Sequence, residues 1–197
     1  MFGLFKKSAK SPQANYKFFV SEVEKYRFLA TKMLEASNEK FILLYHFENT
    51  RSEMEQLLTA AKVDFNTDRN SGARILVLDA EEFLSNEIYG TPEVFVIEIY
   101  PLAERDSIIV QKAQDKRLEL NCYASIDSPF FQLFGGERVT NLIHKLGVEP
   151  GEVIEHSFIN TAIIKAQQKI AKNLGVEQLV RASLEEWMKE NNVAISK

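Results

Sequence analysis

"FILLYHFENTRSEMEQLLTAA", residues 41–61, changes its period part-way along. The first seven residues are apolar almost without a break, as in a strand covered on both faces of a parallel sheet. Beyond Asn49 or Thr50, which stand where a helix cap belongs, Met54, Leu57, Leu58 and Ala61 recur at helical spacing. The stretch therefore reads as one strand followed by one helix. The pattern recurs downstream. "ARILVLD" (73–79) precedes the short helical "AEEFLSNE", and "EVFVIEIY" (93–100) precedes "PLAERDSIIVQKAQ", in which Pro101 suits a first helical turn. The last segment also carries Ile108, Ile109 and Val110, which favour a strand, and "QDKR" could turn a hairpin into "LELNCYASI". It is read as a helix, with the hairpin as the alternative. Four apolar strands, counting 118–126, alternate with helices and predict a three-layer α/β domain with a mainly parallel sheet.

Upstream, Phe19, Val23, Tyr26, Ala30 and Met33 mark one face of a long helix over about 15–37. After Asp127 the strands stop. Val139, Leu142, Ile143 and Leu146 predict a short helix closed by Gly147, and Ile159, Ala162, Ala166 and Ile170 a longer one. A final helix is expected from about Glu177, with Val180, Leu184 and Trp187 turned inward. The chain thus divides into a flexible segment 1–14, an α/β domain 15–155 and a helical appendage 156–197.

Lys and Arg total 24 against 28 Asp and Glu, and the net charge of -4 offers no general electrostatic reason to bind nucleic acid. One cysteine, Cys122, cannot form an internal disulfide and sits in an apolar run, which fits a buried thiol in a reducing compartment. In "MFGLFKKSAK" the apolar residues precede the lysines, the reverse of a secretory signal, and the run is too short to span a bilayer. A cytoplasmic protein is expected. Phe2, Leu4 and Phe5 beside Lys6, Lys7 and Lys10 are a candidate contact with an anionic membrane surface, set against a frayed terminus.

The sequence contains no G-x-x-x-x-G-K-[ST] phosphate loop, no G-x-G-x-x-G and no G-x-S-x-G. His46, His144 and His156 lie far apart and draw no zinc spacing with one cysteine, so no metal and no cofactor is expected. Weak binding candidates remain. His46 and Asp79 end apolar strands, where parallel sheets present ligand-facing groups. Lys112 and Arg117 are basic residues that could meet a phosphate. Glu155 and His156 could form an acid/base pair, but they also open a helix, where Glu155 suits the dipole and His156 can cap.

"LFGGERVTNLIHKLGVEPGEVIEHSFINTAIIKAQQKIAKN", residues 133–173, resembles the segment of SecA, the preprotein-translocase motor ATPase, that leaves the second nucleotide-binding domain and enters the helical scaffold. The family's leucine-phenylalanine-glycine, leucine-glycine, glycine-glutamate, isoleucine-glutamate-histidine and alanine-glutamine-lysine positions are filled by Phe134, Gly135, Leu146, Gly147, Gly151, Glu152, Ile154, Glu155, His156, Ala166, Gln167 and Lys169. Gly136, Glu137 and Arg138 belong to the same glycine turn. Gln168 replaces a family lysine. A weaker resemblance covers about 15–175: Glu48, Ser52 and Glu53 match in kind, Tyr45 and His46 replace a glycine and a threonine, Glu104 and Arg105 match a glutamate-arginine pair, and Ser125, Ile126 and Asp127 keep register.

The resemblance implies a RecA-like fold of the helicase type and a place in protein translocation. Two family loops are missing, however. Where the family's glycine-arginine motif puts arginines on the γ-phosphate, this chain has "DSIIVQKAQDKRLELN", and its second nucleotide-facing loop is replaced by "VLDAEEFLSNEIYGTPE". Arginine fingers are commonly worth roughly 10³ to 10⁵ in rate. The expectation is a degenerate, stand-alone domain that neither binds nor hydrolyses ATP and docks on a protein partner, a SecA motor or another translocation component. Half of an ATPase completed in trans, and a domain repurposed for a small ligand or membrane surface, stay open as alternatives.

Overall fold

The computed structural model describes residues 12–133, 141, 143, 147–149 and 151–193. Strands Tyr16–Phe19 (β1), Phe41–Tyr45 (β2), Ile75–Asp79 (β3), Glu93–Val96 (β4) and Leu120–Ser125 (β5) form one sheet in the order β1-β5-β4-β2-β3. Every pairing is parallel. Alternation along β2 explains the layers. Phe41, Leu43 and Tyr45 face one cluster, with Tyr26, Leu29 and Met33 of helix Glu22–Glu35 (α1) and Met54 and Leu58 of helix Glu48–Ala60 (α2). Ile42 and Leu44 face the other, shared by Ala80–Ser85 (α3), Ala103–Lys116 (α4), Pro129–Leu133 (α5), Ser157–Asn173 (α6) and Leu184–Glu190 (α7). The predicted three-layer α/β architecture is present, with α6 and α7 packed into the same core as the sheet.

Three local expectations are corrected and one choice between alternatives is decided. Residues 16–19 are a strand, not the start of a helix; Ser21 takes over as the cap, its Oγ accepting from Glu24 N at 3.3 Å, and Val23 is left 58% exposed. Neither Asn49 nor Thr50 caps α2, which begins two residues earlier than Thr50 with Phe47 as its flanking residue. The segment after Pro101 is helical, so the hairpin alternative fails; Ile109, Val110 and Ala113 are buried at helical spacing while Ile108 is 45% exposed. The last helix starts at Leu184, because Ser183 Oγ accepts from Glu186 N, and residues 174–183 run as an extended strap before it.

The segment quoted for its glycine turns is tied to the sheet edge. Gly147 and Gly151 take φ of 66° and 84°, in the left-handed region that strains other residues. Ile154 then forms an antiparallel bridge on the outer side of β1, through Phe18 N to Ile154 O at 2.9 Å and Ile154 N to Phe18 O at 2.8 Å. Asn160 completes the edge, its Oδ1 accepting from Tyr16 N at 2.8 Å and its Nδ2 donating to Tyr16 O at 2.9 Å. Hydrogen-bonding groups that an edge strand would present to another chain are thereby satisfied. Among the described residues, no helix is long and apolar enough to cross a membrane.

Candidate functional site

Neighbouring strands β2 and β4 send their following helices to opposite faces of the sheet, α2 to one and α4 to the other. Sheets of this kind open a crevice at the carboxyl ends of such a pair, and ligands bind there. A helix N-terminus in the crevice, with its unpaired N–H groups and positive dipole end, is a natural anion site. Here the anion is internal. Glu98, just past β4, places Oε1 at 2.6 Å from His46 N and 3.0 Å from Phe47 N, and Oε2 accepts from Thr50 Oγ1 at 2.6 Å. The next two donors of α2 are taken by the strap, Glu48 N by Arg181 O at 2.8 Å and Asn49 N by Ala182 O at 3.0 Å. Burial raises the Glu98 pKa, against the lowering effect of His46 and of the hydrogen bonds it accepts.

Beside Glu98, a cleft of about 120 Å³ is lined by Glu22, Lys25, Glu53 and Ser125 among others. Ligand pockets commonly hold roughly 300 Å³ or more, so this one is too small for a nucleotide. Lys25 is buried, with Nζ 2.6 Å from Ile97 O and 2.5 Å from Glu22 Oε2. A larger cleft of about 460 Å³ opens on the other side, framed by His46, Tyr100, Ile109 and Leu179 together with two guanidinium groups. Both are already paired: Arg105 with Glu81 and, at 3.7 Å, with Glu177; Arg181 with Asp79 at 2.8 Å.

Behind the crevice lies a buried polar cluster. His46 Nε2 stands 3.4 Å from Asp106 Oδ1, and neither atom has an aligned hydrogen-bond partner among the described residues. Gln167 of α6 donates to Asp106 Oδ2 at 3.1 Å and to Tyr100 O at 2.8 Å. Burial disfavours the imidazolium of His46, but the Asp106 carboxylate, helped by Glu98 and Asp79, outweighs it and raises the pKa above 6.5. A raised folded value means that His46 contributes stability in full below the unfolded pKa, and loses it as pH rises through the folded one. The stability difference between the native protein and His46→Gln, measured by urea unfolding, is expected to favour the native protein more at pH 6 than at pH 8.5. A difference independent of pH would remove His46 from the titration.

The other candidates fall outside the crevice or are used by the fold. Asp79 ends β3, caps α3 by accepting from Glu81 N at 2.7 Å and holds Arg181. Lys112 donates to the carbonyls of Leu84 and Asn86 at 2.9 and 2.5 Å, and burial lowers its pKa. Arg117 is the left-handed residue that ends α4, with φ 55°. Glu155 pairs with Lys17 at 3.5 Å; His156 Nδ1 accepts from Phe158 N at 3.2 Å and so caps α6. Gln167, quoted above only as a family position, proves to be buried and to pin α6 to the polar cluster. Gly135, Gly136, Glu137, Arg138 and His144, and the N-terminal residues 1–11, lie outside the described residues. Burial pushes the Cys122 thiol pKa up. Among the described residues, no group of three or more His, Cys, Asp or Glu side chains forms a metal site. Sequence reading missed Glu98 and Asp106, which carry the site; a lone carboxylate at a strand end or in a helical first turn gives no periodic signal.

No family model matches the chain. Among curated proteins, the protein translocase subunit SecA of Christiangramia forsetii is 43% identical over 51 residues, 26% of this chain and 5% of that protein. SecA of Pelagibacter ubique is 39% identical over 57 residues, and SecA of Treponema pallidum 40% over 57, each match covering 28% of this chain. About a quarter of the chain is thus similar to SecA. The similarity takes in only 5% to 7% of the relatives' own length. A solved structure, the C-terminal part of the Fun30 ATPase domain, aligns with 75% of this chain and 54% of its own at a TM-score of 0.38 and 13% identity.

Proposed function

We propose that this chain is a non-catalytic, SecA-like interaction module of preprotein translocation, which docks on a SecA motor or another translocation component. The observation that carries the reading is the filling of the crevice from within: a carboxylate and two strap carbonyls occupy the α2 N-terminus where a phosphate would sit. A negative group held there would repel an incoming phosphate, and the two guanidinium groups nearby are committed to carboxylates. The absence of a phosphate loop from the sequence agrees. Completion of an ATPase in trans gains nothing from Lys112, which is tied to the carbonyls of Leu84 and Asn86, or from Arg117, which ends α4.

The docking face is the strap over the crevice. Val176 and Leu179 are 85% and 70% exposed there, apolar side chains that the fold does not use. Capture of a purified SecA motor by the immobilised chain is expected to fall at least about 10-fold in the double variant Val176→Asp, Leu179→Asp, since buried interface charge without a partner is strongly disfavoured. Both residues are exposed, so the unfolding midpoint should stay as it is. No capture by the native chain, or equal capture by the variant, would overturn the reading.

A further inference from the structure

The opposite end of the sheet carries a further, unrelated cavity. Helix α3 has six residues, about 9 Å of helix, while the five residues of β3 run about 16 Å. The helix therefore covers only the carboxyl half of its strand. Below it, between the amino ends of β2 and β3 and the loop 86–92, lies a cavity of about 340 Å³. Its floor is apolar: Ile42, Leu76 and Leu78 point to the same face of the sheet, and Ile88 comes down from the loop.

The rim is cationic. Lys40 and Arg69 are both exposed, and among the described residues neither side chain has an acidic or hydrogen-bonding partner. Arg74 also lines the cavity, its guanidinium directed to the carbonyls of Met33 and Ala36 at 3.0 and 3.1 Å, without a carboxylate. Of the two acids in the lining, Glu87 is held by Lys116 at 2.6 Å, which leaves Glu82. Tyr89 stands at the mouth with 86% of its surface in solvent, an uncommon position for an aromatic ring that packs on nothing. An apolar cavity of this volume with a few convergent polar groups has the anatomy of a small-molecule site.

We infer that this cavity binds a small amphipathic anion, with its apolar body on Ile42, Leu76 and Leu78 and its charged end between Lys40 and Arg69. A chain of hydrocarbon alone would gain the floor, and an inorganic anion alone would gain only exposed lysine and arginine. The combination of both is what the site selects. Nothing in this inference depends on the docking face, which lies at the other end of the strands.

Octanoate and octanol are the probes, titrated into the full chain by calorimetry. Saturable one-to-one octanoate binding is expected, at least about 10-fold tighter than octanol binding, the preference coming from charge complementarity. The double charge reversal Lys40→Glu, Arg69→Glu should erase that preference. Because both replaced side chains are exposed, an unchanged urea midpoint will show that this variant is folded. Leu76→Trp, which fills the floor, should abolish binding of both probes. The inference is overturned if octanoate shows no saturable binding to millimolar concentration, if the charge reversal leaves its affinity unchanged, or if octanol binds as well as octanoate.

Discussion

Replacing Glu98 by alanine is expected to cost about 3 to 5 kcal/mol of unfolding free energy, because each buried donor left without its acceptor loses roughly 1 to 3 kcal/mol. Three donors are involved: the backbone N–H groups of His46 and Phe47, and the hydroxyl of Thr50. The two N–H groups belong to the residues that lead into α2, whose flanking residue Phe47 has no side-chain cap of its own. From just past the neighbouring strand, Glu98 holds the entry to the helix and the Thr50 hydroxyl of its first turn. Glu98→Gln keeps one acceptor oxygen and should lose about half as much, since hydrogen bonds to a neutral group are worth roughly half those to a charge. Urea unfolding of the two variants measures both numbers. A loss below about 1 kcal/mol for the alanine variant would mean that water replaces the carboxylate without penalty, and the crevice would then be open to other anions.

Trp187→Ala should be as severe, at about 3 to 5 kcal/mol, the usual range for deleting a buried aromatic side chain. Trp187 has no exposed surface, meets the Tyr100 ring edge-on at 6.0 Å and donates through Nε1 to Glu177 at 3.0 Å. Glu177 in turn accepts from the Tyr100 hydroxyl and faces Arg105, so the ring holds the strap down as well as filling the core. The variant is therefore expected to lose hydrogen-exchange protection across residues 174–183 before the sheet loses any. Trp187 is the one tryptophan in the sequence, so the variant must be followed by circular dichroism. Trp187→Phe restores volume without the donor and should recover part of the stability but less of the strap protection. If strap and sheet exchange together in the alanine variant, the ring has no special hold on the strap.

How much of this was legible in the sequence depends on the kind of signal each element leaves. Strands β2 to β5 announce themselves because a strand buried on both faces must be apolar throughout, as β2 is at all five positions. β1 was lost to coincidence: Phe19 falls four residues before Val23, so a short aromatic strand merged with the helix after it. The correction was nevertheless present in Ser21 followed three residues later by Glu24, a capping signature at the true start of α1. The site was less readable. His46 and Asp79 stand out in the sequence by their position at strand ends, but Glu98 lies in "EVFVIEIY" as one more alternating residue, and nothing local says that its carboxylate serves a helix fifty residues upstream. Asp106 and Gln167 become partners only through the packing of α6 on α4, a contact between segments 61 residues apart.

The place of β1 sets the order in which the molecule can be finished. Among the described strands it is the first to be synthesised, yet its strand neighbour there is β5, and its free side is closed by Asn160, 144 residues later in the chain. Until β5 and those residues exist, Tyr16 and Phe18 lack the strand and the clamp that bury them, whereas Phe19 can already meet Phe28 of α1. A chaperone or the ribosome surface must tolerate this aromatic segment through most of synthesis, and seating it requires a long loop to close, which slows folding. Strand β1 thus locks late, and its closing clamp is drawn from the stretch that resembles SecA.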